Sequence, residues 1–282
     1  PAVKESALWL KSQGFEVDFA PVDEKGFVDV ETLGALIRPD TTLVSIMAVN
    51  NEIGSIQPIE AISELLEDKP TISFHVDAVQ ALAKIPTEKY LTDRVDFATF
   101  SSHKFHGVRG VGFVYIKSGK KITPLLTGGG QERDYRSTTE NVAGIAATAK
   151  SLRLSMEKLD IFTNKIGQMK EVIRQALLDY PDIFVFSDEE DFAPHILTFG
   201  IKGVRGEVIV HAFEDYDIFI STTSACSSKA GKPAGTLIAM GVDKDKAQSA
   251  VRLSLDLEND MSQVEQFLTK LKLIYNQTRK VR

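Results

Sequence analysis

Cysteine is nearly absent: Cys226 is alone among 282 residues. The chain cannot close a disulfide on itself, and this usage fits a reducing, cytoplasmic setting. There is no apolar run of about 18 residues, so no membrane-spanning helix is expected. The first residues show no basic-then-apolar leader. A basic excess is also missing. The net charge of −6 argues against a nucleic-acid partner, whose phosphates select positive surfaces. No internal repeat or low-complexity tract stands out. An initiating methionine is lacking too, and Pro1 in its place predicts a processed product or a fragment. What is present is ordinary for a globular protein: 43% apolar and 26% charged residues, enough for a substantial core in one large domain or two of common size.

Residues 1–150 alternate helix-like and strand-like segments. Lys4–Lys11 reads as the end of a helix and Glu31–Ile37 as a short one, and Pro58 opens another that runs to Leu66, because proline suits a first helical turn. Phe15–Phe19 alternates like a half-buried strand. A buried strand is expected at Thr42–Met47, and further strands at Thr71–Val76, Val95–Phe100 and Gly112–Ile116. This alternation predicts an α/β fold with a mostly parallel sheet, in which ligands gather at the carboxyl ends of the strands. From about residue 142 the texture changes. Ala143–Leu159 and Asn164–Leu178 read as long helices and Glu207–Phe213 as a short one. Ile183–Phe186, His195–Phe199, Ile218–Ile220 and Val251–Leu255 read as strands. Asp260 with Gln263 makes a helix start, followed by an apolar stripe from Val264 to Tyr275. The expected division is a large domain over 1–150 and a smaller α+β domain over 151–282.

Chemistry concentrates after two of the strands. Val95-Asp96-Phe97-Ala98-Thr99-Phe100 leads into Ser101-Ser102-His103-Lys104-Phe105-His106-Gly107, and the run before it ends in His75-Val76-Asp77 with Gln80 close behind. A lone lysine is usually a surface residue, and an aspartate ending a strand is more often a helix cap than a catalytic group. Together they match the needs of pyridoxal phosphate (PLP). A lysine amine forms a Schiff base with its aldehyde, and a carboxylate keeps its pyridine nitrogen protonated so that the ring can act as an electron sink. Ser101 and His103 can donate to a phosphate. Gly128-Gly129-Gly130 through Thr139 forms a donor-rich loop that reads, by itself, as a plain turn.

Cys226 lies in Ser224-Ala225-Cys226-Ser227-Ser228-Lys229-Ala230-Gly231-Lys232. A lone cysteine is usually a small buried hydrophobe. These neighbours show no apolar periodicity, so an exposed loop is expected, and Lys229 and Lys232 favour the thiolate. Arg252 stands inside the apolar Val251–Leu255 run and needs an anionic partner. That partner is either a carboxylate of the protein or the α-carboxylate of an amino-acid substrate, which the guanidinium fork matches.

With these residues in place, the chain resembles the cysteine desulfurases, class V aminotransferase-like enzymes of PLP fold type I, over nearly its whole length. The resemblance rests on Val49-Asn50-Asn51-Glu52-Ile53-Gly54, His75 to Gln80, Ser101 to Lys104, Gly128 to Thr139, Ser224-Ala225-Cys226, and Arg252 with Ser254-Leu255. It implies that Lys104 carries the cofactor and later moves protons, helped by His103. Asp77 pairs with the ring nitrogen, Gln80 touches the ring hydroxyl, and Ser101 and His103 bind the phosphate. Thr139 reaches the phosphate of a second subunit, which makes the enzyme a homodimer. Asn51 and Arg252 hold the carboxylate of L-cysteine, and Cys226 accepts its sulfur as a persulfide, leaving alanine. The segment before Ala234–Met240 is similar in length to that of the longer-loop subgroup, which passes sulfur to a scaffold for Fe–S assembly or to a tRNA-thiolation enzyme. A selenocysteine lyase, a related class V aminotransferase and a catalytically incompetent fragment are the alternatives. Thr138 and Asp256 stand where such families usually have glycine. The family also carries about a quarter of its chain ahead of the position matching Pro1, with a phosphate-binding loop and a histidine that stacks on the ring.

Overall fold

The computed structural model describes residues 2–188, 190–223 and 235–280. Two compact units account for the chain. One spans residues 39–48 and 59–159, and the other spans 1–38, 49–58 and 160–282. The units are thus not laid out as two successive blocks of sequence.

In the second unit the chain begins with α1 (Ala2–Ser12) and α2 (Val30–Leu36). Asp29 caps α2 by accepting from the Thr32 N–H at 2.9 Å. Phe15–Phe19 is irregular, against expectation. Phe15 and Phe19 are 60% and 54% exposed, and alternation without a strand to pair with does not make a sheet.

The first-named unit holds β1 (Leu43–Met47), α3 (Ile59–Leu65), β2 (Ser73–Asp77), β3 (Phe97–Ser101), β4 (Gly112–Ile116) and α4 (Val142–Met156). Its sheet runs β1-β2-β3-β4, with the first three strands parallel and β4 antiparallel to β3. The expected helix beginning at Pro58 is α3. Buried Val44, Ile46, Phe74, Val76, Ala98 and Phe100 alternate along the strands with more accessible neighbours. Asn141 caps α4 through the Gly144 N–H at 3.0 Å.

Asp96, at the start of β3, is 2% exposed. Burial alone would raise its pKa, but the Phe74 N–H at 2.9 Å, Arg94 at 2.9 Å and Lys120 at 3.2 Å together hold it below the ordinary carboxylate value. Arg94 in turn donates to the carbonyls of Leu66, Lys69 and Ile72. The lowered pKa means that this stabilisation is present above the unfolded-state value of about 4 and is lost as pH falls below it. Asp96→Ala leaves a buried guanidinium short of its carboxylate and should destabilise the protein by about 3 kcal/mol or more in urea unfolding at pH 7. The difference from the parent should shrink as pH falls below about 4.

The remaining elements belong to the second unit: α5 (Leu159–Leu178), β5 (Ile183–Val185), β6 (Ile196–Ile201), α6 (Gly206–Glu214), β7 (Ser221–Thr222), α7 (Gly235–Ala239), α8 (Lys244–Gln248), β8 (Ala250–Ser254) and α9 (Met261–Lys280). An antiparallel sheet in the order β5-β6-β8-β7 packs with α5, α6 and α9 around Phe199, Phe213, Phe267, Leu197 and Ile166. The expected capping box is present. Asp260 Oδ1 accepts from the Gln263 N–H at 3.1 Å, and Gln263 Oε1 accepts from the Asp260 N–H at 3.2 Å. The strand expected at Ile218–Ile220 starts later, at Ser221, where the ladder to Arg252 begins. Among the described residues no helix is long and apolar enough to cross a membrane.

Candidate active site

β2 and β3 are parallel, with Asp77 in register with Thr99, so their carboxyl ends share one edge of the sheet. Asp77 is the last residue of β2 and Ser101 the last of β3. A 3₁₀ turn, Ser102–Phe105, follows β3 and carries His103 and Lys104. Lys104 is half-buried and His103 exposed.

The turn is fastened from α4. Phe105 is buried, and its carbonyl accepts from the Ser151 hydroxyl at 2.5 Å and the Ser155 hydroxyl at 3.2 Å. Ser102 Oγ lies 2.9 Å from Thr148 Oγ1. His106 closes the turn in the left-handed region, at φ 66°. Gly107 follows where a Cβ would stand 1.8 Å from Ser102 Oγ, so only glycine fits. Ser102, Thr148, Ser151 and Ser155 therefore hold the segment that presents Lys104. None of them stands out in the sequence, because their roles depend on α4 lying against this turn.

Asp77 is not a helix cap. Its Oδ1 accepts from the Val79 N–H at 3.1 Å in an Asx-type turn, and Gln80 follows, half-buried, in the same turn region. The ladder continues past it, with the Ala48 N–H donating to the Asp77 carbonyl at 2.8 Å. His75 is on the same face of β2, two residues back. Its Nδ1 is 2.7 Å from Ser45 Oγ and its Nε2 is 3.1 Å from Thr99 Oγ1. Burial pushes its imidazole below the ordinary histidine pKa, against an opposing pull from Asp77.

The structure thus collects Asp77, Gln80, Ser101, His103 and Lys104 at the carboxyl ends of adjacent parallel strands. Thr139 is placed elsewhere, exposed on the loop ahead of α4. That loop has Glu132, Arg133 and Asp134 in succession at φ 51°, 55° and 68°, a strained run for non-glycine residues. Asn51 and Arg252 come together in the other unit. Arg252 Nη1 donates to the Asn51 carbonyl at 2.8 Å, from a position in β8 flanked by Thr198 of β6 and Ser221 of β7. Thr198 Oγ1 donates to the Glu52 carbonyl at 2.5 Å, tying residues 49–58 to the same sheet. Cys226 lies outside the described residues.

The donor set at the sheet edge fits PLP. A carboxylate can accept from the ring nitrogen, a lysine amine can meet the aldehyde, and a serine hydroxyl with an imidazole can donate to the phosphate.

Comparison with known proteins agrees with this chemistry. The aminotransferase class-V family model matches residues 3–267. A NifS/IcsS protein homolog of Lactobacillus delbrueckii subsp. bulgaricus is 50% identical over 273 residues, covering 96% of this chain and 71% of the relative. The cysteine desulfurase IscS of Clostridium botulinum is 38% identical over 284 residues, covering 99% of this chain and again 71% of the relative. A solved NifS-like protein superposes with a TM-score of 0.89 at 38% identity, over 98% of this chain and 72% of that one. The architecture is that of PLP fold type I, and the chain belongs to the aminotransferase class-V family, within its cysteine desulfurases.

Proposed function

We propose that this protein converts L-cysteine to L-alanine with PLP and passes the sulfur through Cys226 to an acceptor protein. The observation that carries the reading is the placement of Lys104 and Asp77 at neighbouring carboxyl ends of parallel strands. PLP, when bound, supplies an electron-withdrawing ring that stabilises the electron pair left when a proton leaves the substrate α-carbon. Asp77 would hold the proton on the ring nitrogen, Gln80 would meet the ring hydroxyl, and Ser101 and His103 would hold the phosphate. The Lys104 amine would meet the cofactor's aldehyde carbon and then remove and return the α-proton, with His103 aiding transfer. Asn51 and Arg252 would orient the substrate carboxylate. The Cys226 thiolate would attack the substrate sulfur. A sulfur–sulfur bond forms as the carbon–sulfur bond breaks, and the carbon takes up a proton to give alanine, leaving a persulfide on Cys226.

The same reading gives Thr139 to the phosphate site of a partner copy, which requires a homodimer in the cytoplasm. It assigns PLP binding to residues 1–150 and the cysteine-bearing segment to the smaller domain over 151–282. The acceptor is a scaffold for Fe–S assembly or a tRNA-thiolation enzyme, in line with the segment length before Ala234.

The test is an assay of alanine and sulfur release from L-cysteine by the PLP-treated chain. Equal amounts of alanine and Cys226-bound or released sulfur are expected, and no alanine from PLP-loaded protein would overturn the reading. Arg252→Leu should raise KM by about 10-fold or more, the loss expected for one hydrogen bond to a charged group, with a smaller change in kcat.

A further inference from the structure

A polar row crosses the three parallel strands beside Asp77, and the mechanism above leaves it unused. Ser45 on β1 and His75 on β2 are direct register partners. Thr99 on β3 is the register partner of Asp77, yet its hydroxyl reaches back to His75. Both imidazole nitrogens are therefore engaged, one with each neighbouring strand, at 2.7 and 3.1 Å. A ring held at both ends cannot turn without breaking a hydrogen bond in a half-buried place. His75 is two residues from Asp77, so both project from one face of β2. Its hydrogen-bond partners are hydroxyls from β1 and β3, and the Asp77 carboxylate acts on it electrostatically.

We propose that His75, clamped between Ser45 and Thr99, is a positioning residue for Asp77. It locks the end of β2 laterally to both neighbours and sets the electrostatic surroundings of the carboxylate that meets the cofactor's ring nitrogen. This rests on the PLP reading. Two physical effects follow. Strands β1, β2 and β3 are tied by side chains two residues before Asp77, which narrows the directions its carboxyl can take. The imidazole, an uncharged donor and acceptor between two hydroxyls, also places no positive charge beside the carboxylate that would compete with the ring-nitrogen proton.

The experiment compares the parent chain with His75→Leu, His75→Gln and Thr99→Val after PLP treatment. It reads the PLP dissociation constant, the pH midpoint of the bound cofactor's absorbance band, and kcat and KM separately. Borohydride trapping at Lys104 is run on every variant. His75→Leu should trap PLP at Lys104, lose affinity for PLP by about 10-fold, the size typical for a partner one step from a functional ligand, and move the pH midpoint. kcat should fall with KM little changed. His75→Gln should recover part of each effect, because its amide can still donate and accept. Thr99→Val keeps the shape of the site and removes one clamp, so it decides the matter should His75→Leu fail to fold. A smaller shift in the same direction supports the proposal. Parental affinity and midpoint in Thr99→Val, or in a folded His75→Leu, would overturn the proposal alone. Failure of the parent itself to trap PLP at Lys104 would overturn the PLP reading and this proposal with it.

Discussion

Lys104→Ala should lower alanine formation from L-cysteine by about 10²–10⁴-fold, the range over which a positioned proton-transfer group contributes. The same change should abolish borohydride-stable attachment of PLP to the peptide containing residue 104. The protein should remain folded. The turn is held by the buried Phe105 with its carbonyl bound to Ser151 and Ser155, the Ser102–Thr148 pair and the close approach at Gly107, all of which the substitution leaves in place. A variant that stayed folded and retained activity within about tenfold of the parent would mean that the group moving the α-proton is another one. Adding a small primary amine offers a control, since partial rescue is expected only if the missing group was an amine.

Cys226→Ala should lose about 10²-fold or more of sulfur release, the scale on which enzymes lose rate when an attacking group is deleted. PLP attachment at Lys104 should be unaffected. The argument comes from sequence context. Cys226 is the lone thiol of the chain, with Lys229 and Lys232 in the same segment to favour its ionised form. Mass spectrometry of the parent after one turnover with alkylation should show one added sulfur on the peptide containing residue 226. Parental rates of sulfide and alanine release in the alanine variant would remove Cys226 from the reaction. They would favour a lyase that expels sulfur or selenium without a protein thiol.

The strand ends that carry Asp77 and Ser101 were more legible in the sequence than the links between distant segments. Asp77 ends one run whose apolar alternation marks a strand and Lys104 follows closely on another, so their place beyond the strand ends follows from local pattern alone. The helix starts at Pro58 and at Asp260 with Gln263 are local too, and each appears where its side-chain chemistry puts it. Other features are set by distant partners. Phe15–Phe19 has the alternation of a strand but stays irregular, because pairing and not periodicity makes a sheet. Residues 49–58 group with the antiparallel unit through a Ser55–Phe192 bridge and the Thr198 bond to Glu52, links spanning up to 146 positions that no local window contains. The Ser45–His75–Thr99 row needs the strand register before it can be seen. So does the meeting of Arg252 with Asn51, which the sequence could suggest only by resemblance.

The most direct measurement is borohydride reduction of the purified full chain with and without added PLP, followed by peptide mapping. Absorbance spectra are recorded before and after. The account predicts a visible band that is lost on reduction and a pyridoxyl mass on the peptide containing Lys104. Attachment at another lysine, or none at saturating PLP in a folded chain, would contradict the central claim that the ends of β2 and β3 form the cofactor site.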